Sequence, residues 1–163
     1  METKEKIKLW LAEVRAPFLI LAVLLVAIGL AFGWKYHPEG TTFSPIYAAL
    51  LLIGVDSSHI SVNLFNEYSD NKTKIDHHTK RTPFSGGSGV LSSGKLTSTI
   101  VLRVAVITLL IALCIGIYFA ITVHWIIFAL SALGAFSILF YTSFLAKLQL
   151  GELFSGLTLG TFV

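Results

Sequence analysis

Long apolar runs constrain the fold of this chain more than any other feature. Four of them are long enough for a membrane helix, at residues 17–34, 45–68, 97–120 and 123–145. A fifth begins near Glu152 and is incomplete at Val163. Crossing the hydrocarbon core takes about 20 helical residues, and backbone polar groups there have to be hydrogen-bonded within the protein. We therefore expect an all-α, multi-spanning transmembrane helical bundle of about five helices.

The composition favours a membrane protein over a soluble domain. Hydrophobic residues make up 55% of the chain and charged residues only 13%, whereas soluble domains carry about 25% charged residues. The single cysteine, Cys114, lies within an apolar run and cannot form an internal disulfide. Membrane lipid is therefore the expected surrounding of most of this chain.

The basic residues are distributed by membrane side. Most of them precede the first apolar run or lie between the second and third runs, at Lys4, Lys6, Lys8, Arg15, Lys72, Lys74, Lys80, Arg81 and Lys95. Because cytoplasmic loops carry an excess of Lys and Arg, the N-terminus and the loop at 67–97 are predicted to be cytoplasmic. The chain is then a multi-pass integral protein of the cell (cytoplasmic) membrane. No nucleic-acid partner is expected, since the positive charge follows membrane sidedness.

Residues 1–16 predict an amphipathic helix that lies in the membrane interface. The apolar side chains recur on one helical face, at Ile7, Trp10, Leu11 and Val14, and charged side chains occupy the other face. This pattern is typical of helices that lie in the plane of the interface. Pro17 then suits the first turn of the transmembrane helix that follows.

The second apolar run carries a polar stripe. Its members recur at steps of three or four residues, at Asp56, His59, Asn63, Asn66 and Asp70, so they share one helical face. An ionisable group inside a membrane span costs about 2.5–3.5 kcal/mol. The stripe therefore predicts the wall of a polar cavity that opens to the cytoplasm. A buried Asp56–His59 pair that joins helices is the structural alternative.

The cytoplasmic end of this stripe predicts a magnesium site. Asn66 and Asp70 are one helical turn apart, and Asp76 can fold back from the loop, so their oxygen atoms can converge. Such oxygens suit Mg²⁺, which is commonly held by one or two carboxylates plus substrate phosphates. Positive charge nearby suits a phosphate-rich ligand, and it comes from Lys72, Lys74, Lys80 and Arg81. Backbone N–H groups of the Gly-Gly-Ser-Gly turn at 86–89 are a further candidate for phosphate binding.

These residues resemble a known family. The segment NEYSDNKTKID is similar to the first aspartate-rich motif of the UbiA-type intramembrane prenyltransferases, whose conserved positions correspond to Asn66, Asp70 and Asp76. The segments VRAPFLILAVLLVAIGLA and FYTSFLAKLQLGELFSGLTLG resemble the family's first helix and its fourth-to-fifth helix passage. Glu67 stands where the family commonly has Asp. The six-residue step from Asp70 to Asp76 is nearest to the 1,4-dihydroxy-2-naphthoate prenyltransferase branch, which belongs to menaquinone biosynthesis.

The resemblance implies an isoprenoid transferase. Family members use Mg²⁺ to transfer a polyprenyl group from a polyprenyl diphosphate to an acceptor, often an aromatic quinone precursor, inside the membrane. It implies that the catalytic, metal-binding residues are Asn66, Asp70 and Asp76, with Glu67 a weaker candidate for the metal. The donor diphosphate would be bound by Lys72, Lys80 and Arg81. The acceptor pocket would include Asp56, His59 and Asn63.

An ion- or proton-coupled membrane transporter that uses Asp56 and His59 is the alternative function. Intramembrane Asp and His also mark ion and proton paths. This alternative gives no reason for an acidic motif beside a basic cluster. A third alternative, a structural membrane subunit, would explain the helices but not the polar residues.

Residues 1–163 are expected to be the N-terminal part of a single transmembrane prenyltransferase domain. The fifth apolar run is shorter than a membrane span, and Glu152 is the only acidic residue after Asp76. The resembling family places a second aspartate-rich motif in a C-terminal half of similar size. The fragment alone is therefore expected to be inactive.

Overall fold

The computed structural model describes residues 2–40, 42–74 and 87–140, and its secondary structure in these ranges is helical. The helices are α1 (Thr3–Glu13), α2 (Ala16–Lys35), α3 (Pro45–Thr73), α4 (Ser98–Thr122) and α5 (Ile126–Phe140). Three of them, α2, α3 and α4, are long and apolar enough to cross a membrane, and α5 is a shorter apolar helix. The predicted all-α membrane bundle is confirmed.

Helix α3, which contains the second apolar run, extends beyond the end of that run. It continues to Thr73, so residues 67–73 of the expected loop are helical, and the helix is closed by Lys74 in a left-handed conformation with φ of 59°. Neither Gly nor Pro follows Tyr68 before that point, so nothing in the sequence breaks the helix. Asn66 and Asp70 therefore both lie on regular helix.

A sharp corner separates α1 from α2. Arg15 adopts a left-handed conformation with φ of 53°, and α2 begins directly after it with Pro17 in its first turn. Proline cannot continue a preceding helix, because it lacks the N–H group and its ring meets the carbonyl four residues earlier. The chain therefore turns at Arg15 rather than running on as one long helix.

The apolar face of α1 is divided between protein and surroundings. Trp10 and Val14 pack against the core cluster of Leu64, Leu91, Val101 and Ala105. Ile7 and Leu11 are about half exposed, at 54% and 50%. The exposed pair supports the predicted contact of α1 with the membrane interface, which stays a prediction.

Small residues let α3 approach α4 closely. Gly54, Ser57 and Ser61 are buried on α3, and Ser61 Oγ donates a hydrogen bond of 2.9 Å to the Ala105 carbonyl oxygen on α4. A Cβ atom at Gly54 would lie 3.1 Å from Ile115 Cγ2. Membrane helices pack in this way, through small residues and hydrogen bonds between helices.

Aromatic side chains gather at the end of the bundle remote from α1. The ring of Tyr47, at the start of α3, packs edge-on against those of Tyr118 and Phe119 near the end of α4. Trp34, near the end of α2, packs edge-on against Phe43. Aromatic belts of this kind occur at membrane–water interfaces. The opposite end of the bundle carries α1 and the last turns of α3.

Candidate active site

The polar stripe of α3 lies in two different environments. Asn63 is buried, and its Nδ2 donates a hydrogen bond of 2.9 Å to the Val14 carbonyl oxygen at the α1–α2 corner. The other members are half-buried, at Asp56, His59, Asn66 and Asp70. This hydrogen bond gives Asn63 a structural role, and its place in the predicted acceptor pocket stays a prediction.

Asp56 and His59 lie one turn apart in the middle of α3. The Oδ1 atom of Asp56 is buried and has no hydrogen-bond partner among the residues that the structure describes. A carboxylate inside a membrane helix is costly unless it faces a partner or a wet cavity. This oxygen is therefore a candidate acceptor for a polar group that enters between the helices.

Asn66 and Asp70 occupy the last turns of α3, at the same end of the bundle as α1. They are spaced by four residues, which places them on one side of the helix. Both side chains are half-buried, and both supply oxygen atoms of the kind that Mg²⁺ prefers. The donor chemistry of this pair therefore fits Mg²⁺.

Three other residues assigned to this site lie outside the described residues, namely Asp76, Lys80 and Arg81. Among the residues that are described, no group of three or more His, Cys, Asp and Glu side chains is placed to hold a metal ion. The predicted three-residue magnesium site therefore remains a prediction.

The helical path of residues 67–73 changes the interpretation of Lys72. This side chain is exposed on the last turn of α3 rather than in a loop. Residues two apart on a helix do not face each other, so Lys72 and Asp70 point to different sides. A positive charge near a helix C-terminus is also favoured by the helix dipole, which is a structural reason for Lys72 at this position. Diphosphate binding by Lys72 therefore stays a prediction, with its side chain on a different side of α3 from Asp70.

A buried polar network lies beside the motif. At its centre Glu67 has a side chain only 2% exposed, and Arg15 Nε donates to its Oε1 at 2.9 Å. The backbone N–H of Ser88 donates to Oε1 at 2.9 Å and to Oε2 at 3.0 Å, and Ser88 Oγ donates to Oε2 at 2.8 Å. Both oxygens of Glu67 are therefore occupied by groups of the protein.

The same network reaches the end of α1. Glu13 is fully buried, and its Oε2 lies 2.7 Å from Ser88 Oγ. The hydroxyl also accepts a hydrogen bond of 3.1 Å from the Val90 N–H. Since a hydroxyl has one hydrogen, Ser88 shares it between Glu13 and Glu67. We call these residues the Glu67 network, which comprises Glu13, Arg15, Glu67, Ser88 and Val90.

Glycines on both sides of Ser88 make this arrangement possible. Gly87 and Gly89 have φ angles of 71° and 78°, a region that side chains other than glycine seldom adopt. The turn thereby directs both the N–H and the hydroxyl of Ser88 at one carboxylate. This turn was predicted to bind phosphate through its backbone N–H groups. For Ser88 that prediction is wrong, because its N–H donates to an internal anion, the carboxylate of Glu67.

Three members of the network, Glu13, Arg15 and Val90, were not identified as site residues from the sequence, and Ser88 was considered only as part of a phosphate-binding turn. Glu13, Ser88 and Val90 lie far from Glu67 along the chain, and local periodicity reports only neighbouring turns. One signal was available for Glu13. It is three residues after Trp10, so it lies on the side of α1 that turns towards the protein. Glu67 itself was considered a weaker metal ligand, whereas the structure places its carboxylate within the protein's own hydrogen bonds.

The arrangement defines a class of protein, a helical protein with three helices long and apolar enough to cross a membrane and an Asn–Asp pair on the last turns of α3. Comparison with protein families is more specific. Residues 22–163 match the UbiA prenyltransferase family, so the chain belongs to this family. No curated protein and no solved structure matches the chain.

Family membership implies membrane prenyltransferase activity. Together with the apolar helices α2, α3 and α4, it indicates an integral membrane protein. Prenyl diphosphates and lipid-soluble acceptors are the substrates that the family suggests, and its members are generally Mg²⁺-dependent. Neither the family match nor the described part of the structure favours the transporter alternative.

Proposed function

We propose that the protein transfers a polyprenyl group from a polyprenyl diphosphate to an aromatic, quinone-precursor-like acceptor inside the membrane, with Mg²⁺ as cofactor. The observation that carries this proposal is the Asn66–Asp70 pair on the last turns of α3 in a chain of the UbiA family. The six-residue step from Asp70 to Asp76 supports an acceptor of the dihydroxynaphthoate type.

The donor end of the site is assigned to the motif and the basic residues after it. Asn66, Asp70 and Asp76 would hold Mg²⁺ through side-chain oxygens. The bound ion supplies Lewis-acid stabilisation of the charge that develops on the departing diphosphate. Lys80 and Arg81 would donate charge-assisted hydrogen bonds to the same phosphates.

The acceptor end is assigned to the middle of α3. His59 precedes Asn66 by seven residues, which is about 10 Å along a helix. This separation leaves room for an allylic carbon between a diphosphate at the surface and a ring deeper in the membrane. The allylic C–O bond breaks with its electron pair going to the diphosphate, and a C–C bond forms to the ring. The ring carbon then loses a proton, for which Asp56 and His59 are candidate acceptors.

The test of this function uses the complete membrane protein in detergent or vesicles. The protein is incubated with labelled geranylgeranyl diphosphate and a panel of aromatic acceptors, in the presence of Mg²⁺ or of EDTA. The mass of the product is measured by mass spectrometry. We expect a prenylated acceptor and free diphosphate with Mg²⁺, and neither with EDTA. Absence of product with every acceptor, or full activity in EDTA, would contradict the proposal.

Replacing Lys80 and Arg81 together by alanine is expected to raise the KM for the diphosphate donor. A hydrogen bond to a charged group contributes about 1.5–3 kcal/mol, so the loss of either contact alone corresponds to about tenfold or more. The thermal unfolding midpoint should change little. The measurement is steady-state kinetics with the donor varied at saturating acceptor.

A matched control for this pair is Lys4→Ala with Lys8→Ala. It removes the same charge from exposed residues of α1, which lies at the same end of the bundle. We expect an unchanged donor KM in this control. A large loss of stability with unaltered kinetics in the Lys80/Arg81 variant would show that these residues serve the fold.

A further inference from the structure

We infer that Glu67 is a positioning residue for the reaction, which fixes the direction in which α3 presents Asn66 and Asp70. This inference rests on the proposed function, because it concerns the residues assigned there to Mg²⁺. Glu67 acts through the helix that carries them and touches neither substrate nor metal.

The first argument is that both oxygens of Glu67 already accept hydrogen bonds from the protein. Arg15 and Ser88 together give its carboxylate hydrogen bonds at distances between 2.8 and 3.0 Å. Its side chain is 2% exposed. A metal that bound this carboxylate would compete with these donors in a site almost closed to solvent. The side chain therefore belongs to the protein framework rather than to the metal site.

The second argument is that the network holds two successive turns of α3. Asn63 is hydrogen-bonded to the Val14 carbonyl, and Glu67, one turn later on the same face, is bonded to Arg15 and Ser88. With both turns attached to the α1–α2 corner, rotation of α3 about its axis at this level would break these hydrogen bonds. Asn66 precedes Glu67 by one residue and Asp70 follows it by three, so the fixed rotation sets the direction of both.

The third argument concerns what a charged network supplies that apolar packing does not. An apolar side chain would pack beside the corner without the cost of burying a carboxylate, and a buried ion pair is weak grounds for expecting stability. A carboxylate held by three directed donor groups, the Arg15 Nε–H and the N–H and hydroxyl of Ser88, has one orientation, whereas an apolar contact tolerates rotation and sliding. Metal sites depend on such outer contacts to orient their ligands.

The experiment replaces Glu67 by glutamine in the complete protein. Glu67→Gln keeps the size of the side chain and removes the charge that binds Arg15. We expect the Mg²⁺ concentration for half-maximal transfer to rise about 10–100-fold, the usual effect of losing an outer partner of a metal site. The KM for the acceptor should stay constant. Glu67→Asp, which keeps the charge on a shorter arm, should recover part of the Mg²⁺ affinity.

A second readout does not depend on turnover. Mg²⁺ with inorganic diphosphate should raise the thermal unfolding midpoint of the wild-type protein, and Glu67→Gln should need a higher Mg²⁺ concentration for the same rise. The matched control is Ser61→Ala. It also removes a buried hydrogen bond from α3, but on the face that packs against α4. This control should lower the unfolding midpoint without changing the Mg²⁺ dependence.

The outcomes separate the two proposals. An unchanged Mg²⁺ dependence in folded Glu67→Gln, or a change no larger than in Ser61→Ala, overturns the positioning role while wild-type activity upholds the proposed function. Wild-type protein with neither transfer nor a Mg²⁺–diphosphate shift overturns both. If Glu67→Gln does not fold, Ser88→Ala decides in the same assays, because it removes the shared hydroxyl and keeps the backbone N–H.

Discussion

Asp70→Asn is expected to abolish prenyl transfer, with a loss in kcat of about 100-fold or more. Asp70 supplies the carboxylate of the described oxygen pair, and its neutral replacement keeps the shape while removing the charge. Mg²⁺ is then held more weakly, and the negative charge that develops on the departing diphosphate is less well compensated. Single-turnover transfer with labelled donor at saturating Mg²⁺ measures the effect on the chemical step.

The control for this variant is Glu39→Gln, the corresponding change in the connection between α2 and α3, where the side chain is exposed at the opposite end of the bundle. Both variants should have the unfolding midpoint of the wild-type protein within a few degrees, because each replacement keeps the size of a side chain that is not fully buried. Normal turnover by a folded Asp70→Asn protein would refute the metal assignment.

Arg15→Ala is expected to give a large loss of stability, about 3 kcal/mol. Removing one partner of a buried ion pair leaves the other charge uncompensated, which typically costs about 3–5 kcal/mol. We take the lower end because the Arg15 side chain is 24% exposed and Ser88 continues to bond Glu67. The measurement is the thermal unfolding midpoint in detergent, with Arg103→Ala, an exposed arginine on α4, as control.

Two companion variants separate the charge from the backbone. Arg15 has a left-handed φ, which costs a residue with a side chain roughly 1–2 kcal/mol but costs glycine little. Arg15→Gly should therefore be more stable than Arg15→Ala. Arg15→Met with Glu67→Gln should regain much of the loss, since no buried charge is then left alone. Equal stability of wild-type and Arg15→Ala proteins would show that the ion pair contributes nothing to the fold.

The membrane fold was predictable because its cause is local. Each transmembrane helix is a run of apolar residues, and the requirement for internal backbone hydrogen bonds leaves few other structures. The end of α3 was predicted less well. The charged residues after Tyr68 indicated a loop, but polar side chains do not end a helix that passes into water, and Lys74 closes it instead.

The candidate site was predictable in part for the same reason. Asn66 and Asp70 share a helical face by their spacing alone. The partners of Glu67 were not predictable, because Arg15 is 52 residues away in the chain and Ser88 is 21 residues away. Periodicity carries no information about which distant segments meet. The resemblance of the motif to its family implied a metal-binding role for Glu67 and gave no sign of its hydrogen bonds to Arg15 and Ser88.

The long separations within the Glu67 network impose an order on biogenesis. Glu13 is made first, yet its partner Ser88 follows it by 75 residues. The hydrogen bond between Glu13 and Ser88 therefore cannot form until α2, α3 and the segment that follows them have been made. Burying the Glu13 carboxylate without this hydrogen bond would be costly, so complete docking of α1 is expected only after the chain has passed α3. The first helix to leave the ribosome thus depends on later segments of the chain for its final place.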